Sequence, residues 1–332
     1  MAIFSKETNQ LYYVTKDSKG NLIPASWLDH VVCPTDSNLL IRYVSPLDGK
    51  LLDDETCRDY LNDVVKITEN NVYLTTDHII MCVTAKITNG EDIHFVHLST
   101  DNSVRANLNN KPLYSRIENI TRLIKIIIAQ LGEHSRIVFC LNEVGRPSMD
   151  GKSIQESSVI MEWLCLVKVI ESCTGLTYYN TYTNNPSLMS FGVAVFTHNI
   201  PNMNVIEKQL LPIEELSDGN IIGGCICLGM EIENLLVWVT HFPIDFKGVG
   251  EASKTFQVAS KLLNLFSEYP QSTFAFGDFN TIHGNMSDAY LLALSQYPML
   301  QSHVPKFFTF AGAYFDSIPD NEGRVHILEM ID

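Results

Sequence analysis

Short apolar runs along the chain predict a series of β-strands. These runs are rich in β-branched and aromatic residues, and they are, in chain order, HIIMCVTAKI, DIHFVHLS, RIVFCLNEV, LTYYNTYT, FGVAVFTH, IIGGCICLGMEI, LLVWVTHF and STFAFGDFN. The first two flank TNGE, whose Asn-Gly pair favours a tight hairpin turn. Near the N-terminus, LYYVTKDSKGNLI predicts a second hairpin, which turns at residues 17–20.

Apolar residues spaced three and four apart predict amphipathic helices between several of these strands. The clearest is SRIENITRLIKIIIAQLG, in which Ser115 and Glu118 have the spacing of a capping box and Gly132 predicts the end. The other helices are predicted in DDETCRDYLNDVV, ESSVIMEWLCLVKVIESCTG, EASKTFQVASKLLNLFSEY and MSDAYLLALS. This order of elements predicts an α/β fold in which two packed sheets have helices outside them.

Polar residues interrupt three of the predicted strands at their C-terminal ends. RIVFCLNEV ends in Asn142 and Glu143, LLVWVTHF reaches His241, and STFAFGDFN ends in Asp278 and Asn280. In α/β proteins such strand ends commonly meet at one rim, where ligands bind. Two carboxylates, an imidazole and two amides there suit metal-assisted phosphate chemistry, with a cation held by oxygen and a water oriented by a carboxylate.

Each of these residues also has an ordinary structural interpretation. A glutamate at a strand end is most often solvated, and a single histidine most often makes a structural hydrogen bond. Asp-Phe-Asn by itself is most often a turn, because Asp and Asn close turns on their own backbone. Only the occurrence of all three polar strand ends, each directly after a strongly apolar strand, favours the functional interpretation.

Composition narrows the functions that this site can serve. The chain has 332 residues, 45% of them hydrophobic, and 23 basic against 38 acidic residues give a net charge of −15. This balance argues against tight, sequence-independent binding to a polyanion, which needs many Lys and Arg contacts. It does not exclude an enzyme that acts on phosphates, because a bound metal ion can supply the local positive charge.

The cysteines and the N-terminus predict a reducing, intracellular environment. The eight cysteines are scattered without a Cys-x-x-Cys pair, which favours reduced, buried thiols over a zinc site. In a strand, Cys225 and Cys227 of GGCICLG would lie on one face. MAIFSKETNQ contains no apolar signal-peptide region, and no apolar run reaches the length that spans a bilayer, so we expect a soluble, cytoplasmic protein.

The segments CLNEV, VTHFP and FGDFNT, in this order, resemble motifs of the endonuclease/exonuclease/phosphatase superfamily, whose fold is deoxyribonuclease-I-like. The resemblance covers roughly residues 78–332, and Gly-Asp-Phe-Asn after an apolar strand is its most specific part. It implies a four-layer α/β/β/α sandwich of two mostly antiparallel sheets. The implied domain covers residues 76–332, with residues 1–75 as an N-terminal extension or small accessory module, either partner-binding or adding strands to a sheet.

The resemblance also implies roles for individual residues. Glu143 would bind Mg²⁺ or Mn²⁺, while Asp278 and Asn280 would position the attacking water and the phosphate. His241 would hydrogen-bond a phosphate oxygen or assist the leaving group. Asp332, in HILEMID, would match the family aspartate that orients a catalytic histidine.

Three departures from the family pattern bear on these roles. Asn142 stands where the family usually has Gln, as a substrate-binding amide one methylene shorter. For the metal-shell Asn at the end of the first core strand, the chain offers Ser99 and, three residues on, Asn102. The family's Ser-Asp-His motif is expected after Asp332, where the sequence stops, and His326 lacks that context. We therefore hypothesise a truncated domain, in which residues 326–332 form a strand beside the one carrying Asp278.

The leading functional expectation is a metal-dependent hydrolase of phosphodiesters or phosphomonoesters, with nucleic acid slightly favoured as substrate. GDFNTIHGNMSDAYLLAL partly echoes the deadenylases of the superfamily. Hydrolysis of a phospholipid head group, as by sphingomyelinases, or of an inositol phosphate is an alternative. A second alternative is a catalytically inactive member of the superfamily that serves as a binding module. A third is an unrelated α/β protein in which the motifs occur by chance.

Overall fold

The computed structural model describes the backbone of fourteen segments: residues 2–5, 10–16, 22–25, 29–44, 50–53, 80–99, 113–146, 177–183, 190–212, 214–215, 221–222, 224–243, 248–281 and 285–303. Side chains are described in residues 29–44, 50–53, 80–99, 120–142, 193–212, 224–243, 248–281 and 288–303.

The described segments contain strands throughout and helices in three places. The strands of the first half are β1 (Ala2–Ser5), β2 (Gln10–Lys16), β3 (Leu22–Ala25), β4 (Asp29–Pro34), β5 (Leu40–Val44), β6 (Leu51–Leu52), β7 (Ile80–Lys86), β8 (Asp92–Ser99) and β9 (Arg136–Arg146). Those of the second half are β10 (Thr177–Thr183), β11 (Ser190–His198), β12 (Asn204–Leu211), β13 (Glu214–Glu215), β14 (Ile221–Ile222), β15 (Cys225–Ile232), β16 (Leu235–His241), β17 (Ser272–Asp278) and β18 (Leu300–His303). The helices are α1 (Leu113–Leu131), α2 (Lys254–Glu268) and α3 (Asn285–Ser295), and a short 3-10 turn (Gly250–Ala252) precedes α2.

Two large mixed sheets form the centre of the molecule. Sheet 1 has seven strands in the order β10-β11-β9-β8-β7-β5-β6, and sheet 2 has six in the order β12-β15-β16-β17-β4-β18. Their parallel pairs are β8 with β9 and β16 with β17, and the other pairs are antiparallel. A small sheet β1-β2-β3 contains the predicted N-terminal hairpin, and β13 pairs with β14.

Three buried apolar clusters show how the layers stack. The inner cluster joins the facing sides of the two sheets, with Phe95 and Val138 of sheet 1 against Phe274 and Phe276 of sheet 2. The outer side of sheet 1 packs on α1, and the outer side of sheet 2 packs on α2 and α3; these two clusters are separate from the inner one. The predicted α/β/β/α sandwich is therefore confirmed.

Most predicted elements agree with the structure at the level of residues. The Asn-Gly turn joins β7 and β8, and Gly90 has φ of 86°. Gly132 ends α1 with φ of 106° and donates its N–H to the carbonyl of Ile128. The helices predicted in DDETCRDYLNDVV and ESSVIMEWLCLVKVIESCTG lie outside the described residues.

The N-terminal segment contributes strands to both large sheets. β5 and β6 extend sheet 1, whereas β4 lies inside sheet 2 between β17 and β18. β4 pairs antiparallel with β17 so that Asp29 lies opposite Asp278. The neighbours of β17 are thus β16 and β4. Residues 326–332, which the truncation hypothesis places in a strand beside β17, lie outside the described residues.

Candidate active site at the rim of the sandwich

Two β-α-β units bring polar strand ends to one rim. β8 and β9 run parallel with α1 between them in the chain, and β16 and β17 run parallel with α2 between them. The last pairs in register are Ser99 with Asn142 and His241 with Asp278. Because the carboxyl ends of neighbouring parallel strands meet at the same edge, each unit presents two polar residues there.

These polar residues lie on the inner faces of the sheets, directly beyond the inner apolar cluster. Phe276 and Val239 of sheet 2 belong to that cluster, and Asp278 and His241 follow two positions later on the same face. In sheet 1, Asn142 follows Cys140 in the same way. We call the set Asp29, His97, Ser99, Asn142, His241, Asp278 and Asn280 the rim cluster.

Asp278, His241 and Asn280 are joined by short contacts. Asn280 donates its backbone N–H to Asp278 Oδ1 at 2.7 Å and its Nδ2 to the carbonyl of Phe242 at 2.7 Å. The same Nδ2 lies 3.0 Å from His241 Nε2, which in turn lies 3.3 Å from Asp278 Oδ2. The three functional residues that the sequence placed on two strands are thus brought together at one corner.

The two contacts of His241 differ in whether Nε2 carries a proton. The bond to the Phe242 carbonyl fixes the Asn280 amide with Nδ2 as donor, so His241 accepts from it only when Nε2 carries no proton. With a proton on Nε2, in the imidazolium or in the neutral Nε2–H tautomer, the ring instead donates to the carboxylate of Asp278. The imidazole can therefore hold a proton at Nε2 against Asp278 or leave that nitrogen to Asn280.

The backbone after β17 turns sharply at this corner. Gly277 has φ of 144°, and a Cβ there would overlap the backbone carbonyl oxygen of Thr240 on the neighbouring strand. Asn280 has φ of 46°, in the left-handed region that Asn adopts more readily than most residues. With the bond from its N–H to Asp278 this makes an Asx turn, so the ordinary turn interpretation and the functional one describe the same corner.

Asn142 connects the two sheets through a second set of contacts. It donates from Nδ2 to the Thr240 carbonyl at 3.3 Å and to His97 Nε2 at 2.8 Å. His97 Nδ1 lies 3.6 Å from Asp29 Oδ1. Asn142, His97 and Asp29 are all fully buried. Because Nε2 accepts from the amide, a neutral ring carries its proton on Nδ1, the nitrogen nearer the carboxylate, although 3.6 Å is longer than a hydrogen bond.

Two carboxylates lie side by side in sheet 2. Asp29 and Asp278 are opposite each other in the antiparallel pair of β4 and β17, and side chains at such positions are neighbours on one face. Each has a histidine ring nitrogen within 3.6 Å of a carboxylate oxygen. Sequence analysis missed Asp29 and His97, because DHVVCP and DIHFVHLS look like ordinary buried strands and their partners are distant in sequence.

The remaining residues named from the sequence are only partly placed. Glu143 lies in β9 at an irregularity where Asn142 and Glu143 together face Val193, which is the pattern of a β-bulge. Asn102, His326 and Asp332 lie outside the described residues. Ser99 is fully buried at the end of β8. Among the side chains that the structure describes, no three of the His, Cys, Asp or Glu type are grouped so as to hold a metal ion.

The Cys-x-Cys pair lies beside the rim, but its two thiols are buried and are poor nucleophiles. Cys225 and Cys227 both face the outer cluster under α2, as predicted for one face of a strand. Burial raises the pKa of Cys225 to about 12, and its hydrogen bond with Thr240 opposes that rise. The five cysteines in the described segments are buried free thiols.

Comparisons with known proteins complete the description. No protein-family model matches the chain, and the comparison with curated proteins gave no match. Two solved structures are similar. ANGEL2, described as a 2',3'-cyclic phosphatase in complex with adenosine-2',3'-vanadate, is 19% identical, with 43% of this chain and 39% of that chain covered and a TM-score of 0.26. The catalytic domain of human Nocturnin with bound sulfate is 15% identical, with 53% and 60% covered and a TM-score of 0.29.

The chain spans less than two thirds of the length of either of these two proteins. None of the described helices is long and apolar enough to cross a bilayer.

Proposed function

We propose that the rim cluster is the active site of a divalent-metal-dependent phosphoesterase. The observation that carries this proposal is the mutual contact of Asp278, His241 and Asn280 at the ends of two neighbouring strands. A carboxylate, an imidazole and an amide donor in contact provide for orienting a water, moving a proton and stabilising charge on a phosphate oxygen. Their mutual bonds fix this geometry before a substrate arrives.

The geometry divides the work among these three side chains. Asp278 Oδ1 is engaged by the Asn280 N–H, so Oδ2 is the oxygen that orients the attacking water. His241 is 15% exposed at its side chain and can hold a proton at Nε2, from which it donates to a phosphate oxygen or to the leaving group. Asn280 donates from Nδ2 and stabilises whichever acceptor replaces His241 Nε2.

The available ligands fit Mg²⁺ or Mn²⁺ better than a softer metal. The carboxylates Asp29 and Asp278 are neighbours in the sheet, and Glu143 follows Asn142 in β9 at the rim. Mg²⁺ is usually held by one or two carboxylates together with water and substrate phosphate, so a three-residue protein cage is not required. Glu143 would hold the ion, which when bound would neutralise a phosphate oxygen.

Nucleic acid is the substrate class that we slightly favour, because the sequence from Gly277 onward echoes deadenylases. The acidic balance of the chain implies that binding depends on the site and its metal more than on a basic surface. If the substrate is instead a phospholipid or an inositol phosphate, the enzyme should hydrolyse that compound faster than it hydrolyses nucleic acid.

The test is hydrolysis of bis-p-nitrophenyl phosphate with and without Mg²⁺ or Mn²⁺. We expect metal-dependent turnover and a metal-dependent rise in Tm, with both lost in Glu143→Gln and kept in the matched control Glu133→Gln, whose side chain is exposed. Metal-independent turnover would contradict the metal role. Absence of both turnover and a metal response would favour the inactive binding module instead.

A further inference from the structure

Behind the rim, on the outer side of sheet 2, a second histidine contacts the backbone corner that carries Asn280. His30 lies next to Asp29 in β4 and faces outward, and its side chain is 5% exposed. Its Nε2 lies 2.6 Å from Thr281 Oγ1, and its Nδ1 lies 3.1 Å from Ser302 Oγ. Hydroxyl groups donate or accept, so both bonds form with either ring tautomer.

The ring of His30 also belongs to an aromatic stack that spans three strands. His30 is parallel to Phe279 at a centroid distance of 5.2 Å, and Phe279 is parallel to Phe242 at 4.5 Å. Tyr290 of α3 closes the stack edge-on against His30 at 4.7 Å and donates to Ser302. Offset stacks of this kind add stability beyond the area that they bury.

The two sets of contacts enclose Asn280 on both sides along the chain. Phe279, which precedes it, is stacked against His30, and Thr281, which follows it, is bonded to His30. Asn280 itself is in the left-handed conformation and points its amide the other way, toward His241 and the Phe242 carbonyl. The imidazole thus contacts the residue before and the residue after Asn280, whose backbone is strained.

We propose that His30 is a positioning residue that holds Asn280 in its left-handed conformation and so aims the Asn280 amide at His241. This inference rests on the proposed function as far as turnover is concerned, but the conformation of Asn280 can be measured separately. His30 acts through Thr281 and Phe279 and does not reach the reacting atoms.

The chain offers a matched control for this role. Thr84 Oγ1 lies 2.9 Å from His94 Nδ1 in sheet 1, and both residues are buried. Thr281→Val and Thr84→Val therefore remove the same kind of hydroxyl–imidazole bond, with the same change in side chain. The Thr84 site faces the opposite outer layer of the sandwich, on β7 and β8.

We expect Thr281→Val to lower kcat by roughly tenfold with KM changed less than about twofold, because misplacement of a site residue costs rate rather than binding. Thr84→Val should leave both constants at the wild-type values. Thr281→Ser, which restores the hydroxyl, should recover the rate. His30→Phe, which keeps the stack and loses the bond, should behave like Thr281→Val and replaces it should Thr281→Val fail to fold.

The second readout is exchange of the Asn280 side-chain amide protons with water, followed by NMR. We expect slow exchange in the wild type and in Thr84→Val, and faster exchange in Thr281→Val and His30→Phe. If the wild type shows no turnover, the proposed function fails, and this readout still decides the role of His30. Unchanged exchange in both variants, or equal rate losses in Thr281→Val and Thr84→Val, would overturn the proposal.

Discussion

The rim contains two Asn–His–Asp sets that look alike and differ in one atom. In the inner set, Asn142 donates to His97 Nε2, while Asp29 faces Nδ1. In the outer set, Asn280 donates to His241 Nε2, and Asp278 faces that same nitrogen. Both amides also donate to backbone carbonyls at the end of β16, of Thr240 and Phe242.

Under the proposed function, this difference separates a structural histidine, His97, from a catalytic one, His241. His97 faces its two partners with different ring nitrogens, so one neutral tautomer suits both contacts. His241 faces a donor and an acceptor with one nitrogen, so its two contacts alternate with the presence of a proton on Nε2. The inner set is fully buried, whereas the side chain of His241 is 15% exposed.

The largest effect should follow from removing the charge of the outer carboxylate. Asp278→Asn is expected to lower kcat/KM for bis-p-nitrophenyl phosphate by at least about 10³-fold, because the residue that orients water loses its negative charge. Asp36→Asn makes the same change at an exposed carboxylate, serves as control and should leave the constant at the wild-type value. Substantial turnover by Asp278→Asn would show that the outer set is not catalytic.

The two histidines should separate cleanly by substitution with Gln. His241→Gln is expected to lower kcat by roughly 10²-fold while the free energy of unfolding changes little. His97→Gln should instead lower the free energy of unfolding, by about 1–3 kcal/mol, because a buried amide and a buried carboxylate lose a partner. Urea unfolding and steady-state kinetics on both proteins test this, and the reverse pattern would invert the comparison.

The two amides should separate in the same way with smaller effects. Asn142→Ala removes two bonds that link the sheets and should lower the unfolding free energy by about 1–3 kcal/mol. Asn280→Ala should lower kcat by roughly tenfold or more through loss of the donor at the rim. If Asn142→Ala were the more damaging to kcat at equal stability, Asn142 would itself contact the substrate.

The smallest effect concerns a third buried histidine, remote from the rim. Burial lowers the pKa of His94, the charge of Arg42 lowers it further, and Asp92 opposes both. The unfolded chain then takes up a proton at higher pH than the folded one, so this contribution to stability is present above pH ~6.5 and is lost on acidification through the lowered pKa. Urea unfolding at pH 7.5 and 5.5 should show a smaller acid loss for His94→Gln than for wild type.

The matched control for that experiment is His303→Gln, since the side chain of His303 is exposed. It should keep the wild-type dependence on pH. Equal curves for His94→Gln and wild type would show that His94 does not contribute to acid sensitivity.

Local patterns in the sequence predicted the elements and one half of the rim. Alternation and apolar spacing predicted β7, β8, β16, β17 and α2, and strand-end interruptions predicted Asp278, His241 and Asn280. Each of these signals lies within about ten residues of chain, so it can be recognised without knowledge of the fold.

The inner set could not be predicted in the same way. His97 and Asp29 each occur in an apolar strand, where the local sequence does not distinguish a site residue from an ordinary buried one. Their role depends on which strands are neighbours, and β4 pairs with β17, which is distant in the sequence. Periodicity identifies a strand but does not name its partner.

The position of β4 also has a consequence for synthesis. His30 and Thr281 are 251 positions apart, and β4 lies between β17 and β18 inside sheet 2. During synthesis, β4 leaves the ribosome long before its neighbours β17 and β18 are translated. Until then its apolar residues and its unpaired backbone groups are open to misassociation, so the nascent chain should depend on chaperones more than a protein with local strand pairing does.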